Sequence, residues 1–142
     1  MGVSAQTLNI EDLIPQRAPM IFVDAFDGID DAEVSHTRLT VRADQLFVEN
    51  GRLTECGLIE HMAQSAGARV GWSCRKAGRE VPVGFIGAVS HFTAFRLPPA
   101  GAHLATSLRI VQQVGPVSLA EATVETAEGP VAEGRLKIFL QI

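Results

Sequence analysis

Four positions between residues 60 and 71 combine side chains that suit acid–base chemistry with a spacing that gathers them. From about Cys56 to Ala77 the chain lacks proline and its apolar residues recur at helical spacing, so one long helix is expected there. At about 100° per residue, Glu60, Gln64, Gly67 and Gly71 fall within about 60° of one another. Two glycines inside a helix cost roughly 1 kcal/mol each relative to alanine, so close approach of another backbone or of a ligand must offset them. Glu60 and Gln64, four apart, can hydrogen-bond along the helix. A carboxylate oriented by an amide beside a small-residue groove fits a general acid/base next to an acyl channel. A subunit interface with Glu60 at its rim fits the same pattern, and both readings stand at this level.

The rest of the chain must position that face. Ile59, Met62, Ala66 and Val70, with Ala63 at the edge, form a second stripe, expected to pack as core. Gly78 stops the helix, with Arg75 and Lys76 in its last turn, where cations favour the dipole. Upstream, Asn9 is expected to cap a short helix over Ile10 to Ile14, with Asp12 near the capping-box position and Pro15 ending it. Met20 to Phe26 and Ala32 to Val41 read as strands around a turn at Asp27 to Asp31, and Asp44 to Glu55 as polar, irregular chain. Four strands follow: Val83 to Phe95, His103 to Val114, Val117 to Thr126 and Val131 to Ile142. In the last, Ala132, Gly134, Leu136, Ile138, Leu140 and Ile142 alternate with Glu133, Arg135, Lys137 and Gln141, Phe139 being the exception. The economical packing is α+β: an antiparallel sheet with the long helix against one face.

Composition bounds the function. A chain of 142 residues is one domain's worth and needs no disulfide or metal to hold a core. Apolar residues at 46% and charged residues at 20% argue against disorder, and a net charge of −4 argues against a nucleic-acid binder. The apolar runs are too short to span a membrane, and the start, MGVSAQTLNIED, does not read as a secretory signal. Cys56 and Cys74 lack metal-site spacing and suit a reducing compartment, so a cytoplasmic protein is expected.

Three stretches carry a resemblance. GLIEHMAQSAGA (Gly57 to Ala68) resembles the central helix of bacterial 3-hydroxyacyl-ACP dehydratases, ACP being acyl carrier protein. LIPQRAPMIFVD (Leu13 to Asp24) is similar to that family's N-terminal segment, with Gln16 where the family has histidine. HFTAFRLPPAGAHL (His91 to Leu104) is similar to its later strand and turn. The resemblance implies a hot-dog fold, a curved antiparallel sheet wrapped around one long central helix, in a single domain over residues 1–142. It implies no cofactor and no metal. It implies a homodimer, or a heterodimer with a second hot-dog subunit, with the site between subunits. Glu60 matches the family's catalytic carboxylate and Gln64 its motif partner. Cys56 and Gly57, at the helix N-terminus, match the end that offers N–H groups to the thioester carbonyl. Gly67, Gly71, Leu46 and Phe47 are the further substrate-contact candidates.

The family's second catalytic group, a loop histidine, is replaced by Leu46. In this the chain looks more like the divergent dehydratase-like proteins of aryl-polyene and flexirubin-type pigment clusters. Substitutes for the missing group are His61, adjacent to Glu60 but about 100° round the helix, and His91. His36 is a further possibility, and His103 reads as a surface residue; for all four an ordinary structural role competes. Cys56 at a helix N-terminus can be an activated thiolate or incidental. Arg69, Arg75, Lys76 and Arg79, extended by Arg17 and Arg96, are either a solvated helix end or a docking patch for acidic ACP. Trp72 reads as packing. Three functions compete: dehydration of a 3-hydroxyacyl-ACP in fatty-acid-like or polyene biosynthesis, thioester hydrolysis using Glu60, and a non-catalytic acyl-binding partner of a heteromeric dehydratase.

Overall fold

A computed structural model describes residues 9–141. One 3-10 turn (Ile10–Asp12) precedes strands β1 (Ala25–Ile29), β2 (Val34–Thr40), β3 (Val48–Glu49) and β4 (Arg52–Leu53), helix α1 (Glu55–Lys76), and strands β5 (Val83–Ala94), β6 (His103–Val114), β7 (Val117–Thr126) and β8 (Gly129–Gln141). Six strands form one antiparallel sheet in the order β1-β2-β6-β7-β8-β5, and β3 and β4 form a small hairpin. One long helix against this sheet is the hot-dog architecture. Among the described residues no helix is long and apolar enough to cross a membrane.

The sheet's inner face supplies Leu39, Leu104, Leu108, Ala120, Ala122, Val124, Leu136 and Ile138 to a core that Leu58, Met62 and Ala66 of α1 complete. The alternation expected along the last strand holds through Gln141; Ile142 and the first eight residues, on which the signal reading rested, lie outside the described residues. Thr54 caps α1, its hydroxyl accepting from Gly57 N–H, and Asn9 and Asp12 form the expected capping box.

Three expectations are corrected. Residues 20–24 are not strand: β1 begins at Ala25 and runs through Ile29, and the turn falls at Asp30 to Glu33 instead of Asp27 to Asp31. The chain at 44–55 is irregular only in part, because from Val48 to Leu53 it forms a hairpin in which Asn50 and Gly51, at φ 54° and 75°, turn β3 into β4. Consecutive positive φ values there are what a tight hairpin requires, and Asn-Gly supplies them. The core side of α1 is also broader than the expected stripe. Ile59, Ala63 and Val70 are only half-buried, while His61 and Ser65 point fully buried at the sheet. They can do so because Thr37 and Thr106, cross-strand neighbours in β2 and β6, meet them with hydroxyls.

Candidate active site

Glu60, Ala63, Gln64, Ala66, Gly67 and Val70 form one wall of a cavity of about 510 Å³. The N-terminal segment from Glu11 to Arg17 forms a second wall, and Gly84, Ile86, Ile138 and Leu140 of β5 and β8 a third. The expected chemical face of the helix is thus gathered on one groove, apart from Gly71. Gly71 serves a different approach: a Cβ there would collide with the carbonyl of Leu13, so this glycine lets the N-terminal wall lie directly on the helix. Gly67 has only Ile14 Cγ2 within reach, at 3.9 Å, and opens to the groove. One glycine admits backbone, and the other leaves room for a ligand.

The wall itself is braced. Arg17 donates to the carbonyls of Glu11 (3.0 Å), Ile14 (2.8 Å) and Gln16 (2.7 Å), so its charge holds the segment together while its side chain stays exposed. Gln16, on this wall, has a buried side-chain oxygen with no hydrogen-bond partner.

Glu60 is half-buried, and Gln64 Nε2 donates to its Oε2 at 2.7 Å. The same amide nitrogen donates to Met20 O (2.7 Å), and Gln64 Oε1 accepts from Phe22 N–H (2.7 Å). A carboxylate supplied with a donor on one oxygen, facing an apolar groove, can exchange a proton with a bound molecule through the other.

The remaining candidates are placed elsewhere. His61 is fully buried, Nδ1 on Phe22 O at 2.6 Å and Nε2 on Thr106 Oγ1 at 2.7 Å, and does not line the groove. Burial lowers its pKa to about 4. Both ring nitrogens are committed, so it meets no substrate directly, contrary to a direct catalytic part. His91 is exposed on β5 at φ 54°, where the pairing with β8 bulges. His36 pairs with Asp30 (2.8 Å), and His103 with the Thr40 hydroxyl (3.0 Å). Cys56 is exposed, Cys74 buried, and neither borders the groove. Gly57 is buried against Leu53 and its N–H is taken by Thr54, so it offers no donor to a ligand. Leu46 and Phe47 are exposed at the surface, the Phe47 ring tilted on Phe22 at 5.4 Å, away from the groove lining.

The basic cluster divides. Arg69 is structural: it donates to Glu33 O (2.9 Å) and Leu108 O (3.1 Å), and burial lowers its pKa. Arg96 is likewise bound to Gly129 O, Pro130 O and Thr126. Arg75 reaches the groove's edge with Nε on Asp12 O (2.8 Å), Lys76 lies 4.5 Å over the Trp72 ring, and Arg79 is exposed. Missed by sequence reasoning were the far-wall residues Val81, Pro82, Ile86, Ile138 and Leu140. Strand periodicity marks Ile138 and Leu140 as inward-facing but does not say that a groove faces them.

Comparison with known proteins agrees with the fold. Residues 8–141 match the ApeP-like family, described as ApeP dehydratase. No curated protein matches the sequence. Among solved structures, the dehydratase heterocomplex ApeI:P from Xenorhabdus doucetiae superposes with a TM-score of 0.84 at 20% identity, covering 95% of this chain and 92% of that one. The conserved protein PA5202 from Pseudomonas aeruginosa gives 0.69 at 18% identity, with 92% and 98% covered. A hypothetical thioesterase from Streptococcus pneumoniae with coenzyme A gives 0.64 at 14% identity, with 82% and 84% covered. At these identities the solved structures are alike in fold.

Proposed function

Because the chain belongs to the ApeP-like dehydratase family, we propose that it dehydrates a 3-hydroxyacyl thioester carried by ACP to the trans-2-enoyl thioester, with Glu60 as the proton-transferring group. The observation that carries this reading is the Glu60 carboxylate, held by Gln64 on the wall of a 510 Å³ groove that is apolar through its middle. Dehydration breaks the C2–H and C3–O bonds. The C2 proton passes to a base, the electron pair forms the C2–C3 double bond, and the hydroxyl leaves as water with a proton delivered to its oxygen. Glu60 supplies the proton to the departing hydroxyl. With the exposed β5 wall covered by a second subunit, the apolar walls keep bulk water from the acyl chain and strengthen the charge interactions of the step.

One group is missing from this account: among the described residues no histidine lines the groove. The base that removes the C2 proton is then brought by a second hot-dog subunit. Two observations support a two-subunit reading. β5 is an edge strand of twelve residues paired only with β8, and it is solvent-exposed from Gly84 to His91, with Phe85 at 56%. A free edge that long asks for a strand partner. The ApeI:P structure is itself a heterocomplex.

The same absence favours a second reading, in which the chain is an acyl-binding subunit and all the chemistry belongs to its partner. The experiment is incubation with a 3-hydroxyacyl-ACP, alone and with a second hot-dog subunit, followed by mass. Loss of water is expected, falling by orders of magnitude in Glu60→Gln while the fold is kept. Undiminished turnover in that variant removes Glu60 from the mechanism and leaves the binding-subunit reading. Release of free carrier thiol instead identifies a thioesterase.

A further inference from the structure

What holds the Glu60 carboxylate in place is a buried chain of hydrogen bonds that begins at His61; the importance of that chain rests on the function proposed above. Phe22 lies outside every strand, yet both of its backbone polar groups are bonded, and both partners are side chains of α1. In extended chain the N–H and C=O of one residue point to the same side. On a helix, side chains three apart are neighbours. His61 and Gln64 are such a pair, and together they grip one residue: Gln64 Oε1 takes the Phe22 N–H, and His61 Nδ1 takes the Phe22 C=O.

This grip dictates the rest. A carbonyl only accepts, so His61 carries its proton on Nδ1, and its Nε2 accepts from the Thr106 hydroxyl. The Gln64 amide has no second orientation, because its oxygen must face Phe22 N–H and its nitrogen must face Met20 O. The one remaining N–H falls on Glu60 Oε2. On the other side, the Ser65 hydroxyl donates to His61 O (2.8 Å) and lies 2.7 Å from the hydroxyl of Thr37, the strand neighbour of Thr106.

We infer that His61 is a positioning residue of the Glu60 site: by fixing the backbone at Phe22 it fixes the Gln64 amide, and through that amide the carboxylate. It acts at a distance from substrate and has no part in moving a proton. Without it, among the described residues only Gln64 still hydrogen-bonds residues 20–22 from the helix, and the amide that orients Glu60 gains freedom to turn.

The test measures turnover and Gln64 mobility in the protein with its partner subunit. His61→Leu removes the tether; His61→Asn keeps a donor near the Nδ1 position; Thr106→Val releases the ring from the far side. In a folded His61→Leu variant kcat is expected to fall at least about tenfold, since small misplacements of a reacting group cost that much. KM is expected to stay within about twofold, since the residue touches no substrate. His61→Asn is expected to restore most of the loss. By NMR, the Gln64 side-chain N–H protons exchange slowly with solvent in the wild type and in His61→Asn, and faster in His61→Leu. Wild-type kcat together with slow Gln64 exchange in folded His61→Leu overturns the inference. If that variant does not fold, Thr106→Val carries the same test, and unchanged exchange and kcat there overturn it equally. Glu60→Gln serves as the control: if it keeps full turnover, the catalytic reading fails, while the Gln64 exchange measurement still decides whether His61 holds the amide.

Discussion

Acid should destabilise this protein well above the pH at which its carboxylates protonate, and the reason is His61. The unfolded chain protonates a histidine near 6.5, but in the folded protein burial lowers the value to about 4, opposed only in part by the bond to Phe22 O. Between those two values the unfolded state binds a proton that the folded state refuses. Stability is therefore complete above pH 6.5, falls as the pH drops through the window, and stops responding to this residue below about 4. At about 1.4 kcal/mol per pH unit, the interval from 6.5 to about 4 corresponds to about 3 kcal/mol. That is a large share of the roughly 5–15 kcal/mol that holds a typical domain together. Urea unfolding at fixed protein concentration, repeated at half-unit steps from pH 7.5 to 4.5, measures it. His61→Asn is the reference, because it keeps a donor for Phe22 O and does not titrate. Its stability is lower at pH 7.5 but nearly flat across the window. Asp30 and Glu121, whose pKa values are lowered by their bonds to His36 and Arg109, lose their contributions at lower pH and do so in both proteins. If the wild-type and His61→Asn free energies run parallel from pH 7 to 4.5, burial of a neutral His61 is the wrong account.

Two glycines of the helix, Gly67 and Gly71, separate packing from function. Gly71→Ala drives a methyl into the Leu13 carbonyl and is expected to cost about 1–3 kcal/mol, whereas Gly67→Ala is expected to raise the melting temperature slightly, by up to about 1 kcal/mol of helix propensity, while slowing turnover of bulky acyl chains. Arg69→Ala strips Glu33 O and Leu108 O of a charged donor and is expected to cost about 1–3 kcal/mol in thermal unfolding, against no change for the exposed Arg79→Ala. Thr54→Ala removes the cap of α1 at about 1 kcal/mol, read by the same measurement.

The helix and the last strand were legible because each carries a clean period, 3.6 or 2, over ten residues or more; the three strands before the last were legible from strand-like composition, and the ends of all fall within a few residues of expectation. The gathering of Glu60, Gln64 and Gly67 on one groove was legible for the same reason. Where a local feature takes its partners from far along the chain, the pattern was silent. Residues 20–24 have strand-like composition, yet Phe22 gives its backbone bonds to side chains 39 and 42 positions away instead of to a neighbouring strand. His61 read as a substitute for the missing catalytic group or an ordinary structural histidine, because nothing nearby in sequence announces the hydroxyl of Thr106, 45 positions on. Arg69 looked like one charge of a patch because the carbonyls it binds belong to other elements. The β3–β4 hairpin is different: Asn50-Gly51 is a strong local turn signal and was readable all along.

Since helix α1 hydrogen-bonds the main chain at Met20 and Phe22, evolutionary pressure across those bonds is lopsided. Positions 61 and 64 are held to the few residue types that can make those bonds. Position 20 offers only its carbonyl to the grip and admits many residue types, whereas the Phe22 side chain is fully buried in the core and is held apolar by packing. Related sequences should then show constancy at 61 and 64 opposite drift at 20, with position 22 kept large and apolar. Methods that infer proximity from paired substitutions would pass over this contact.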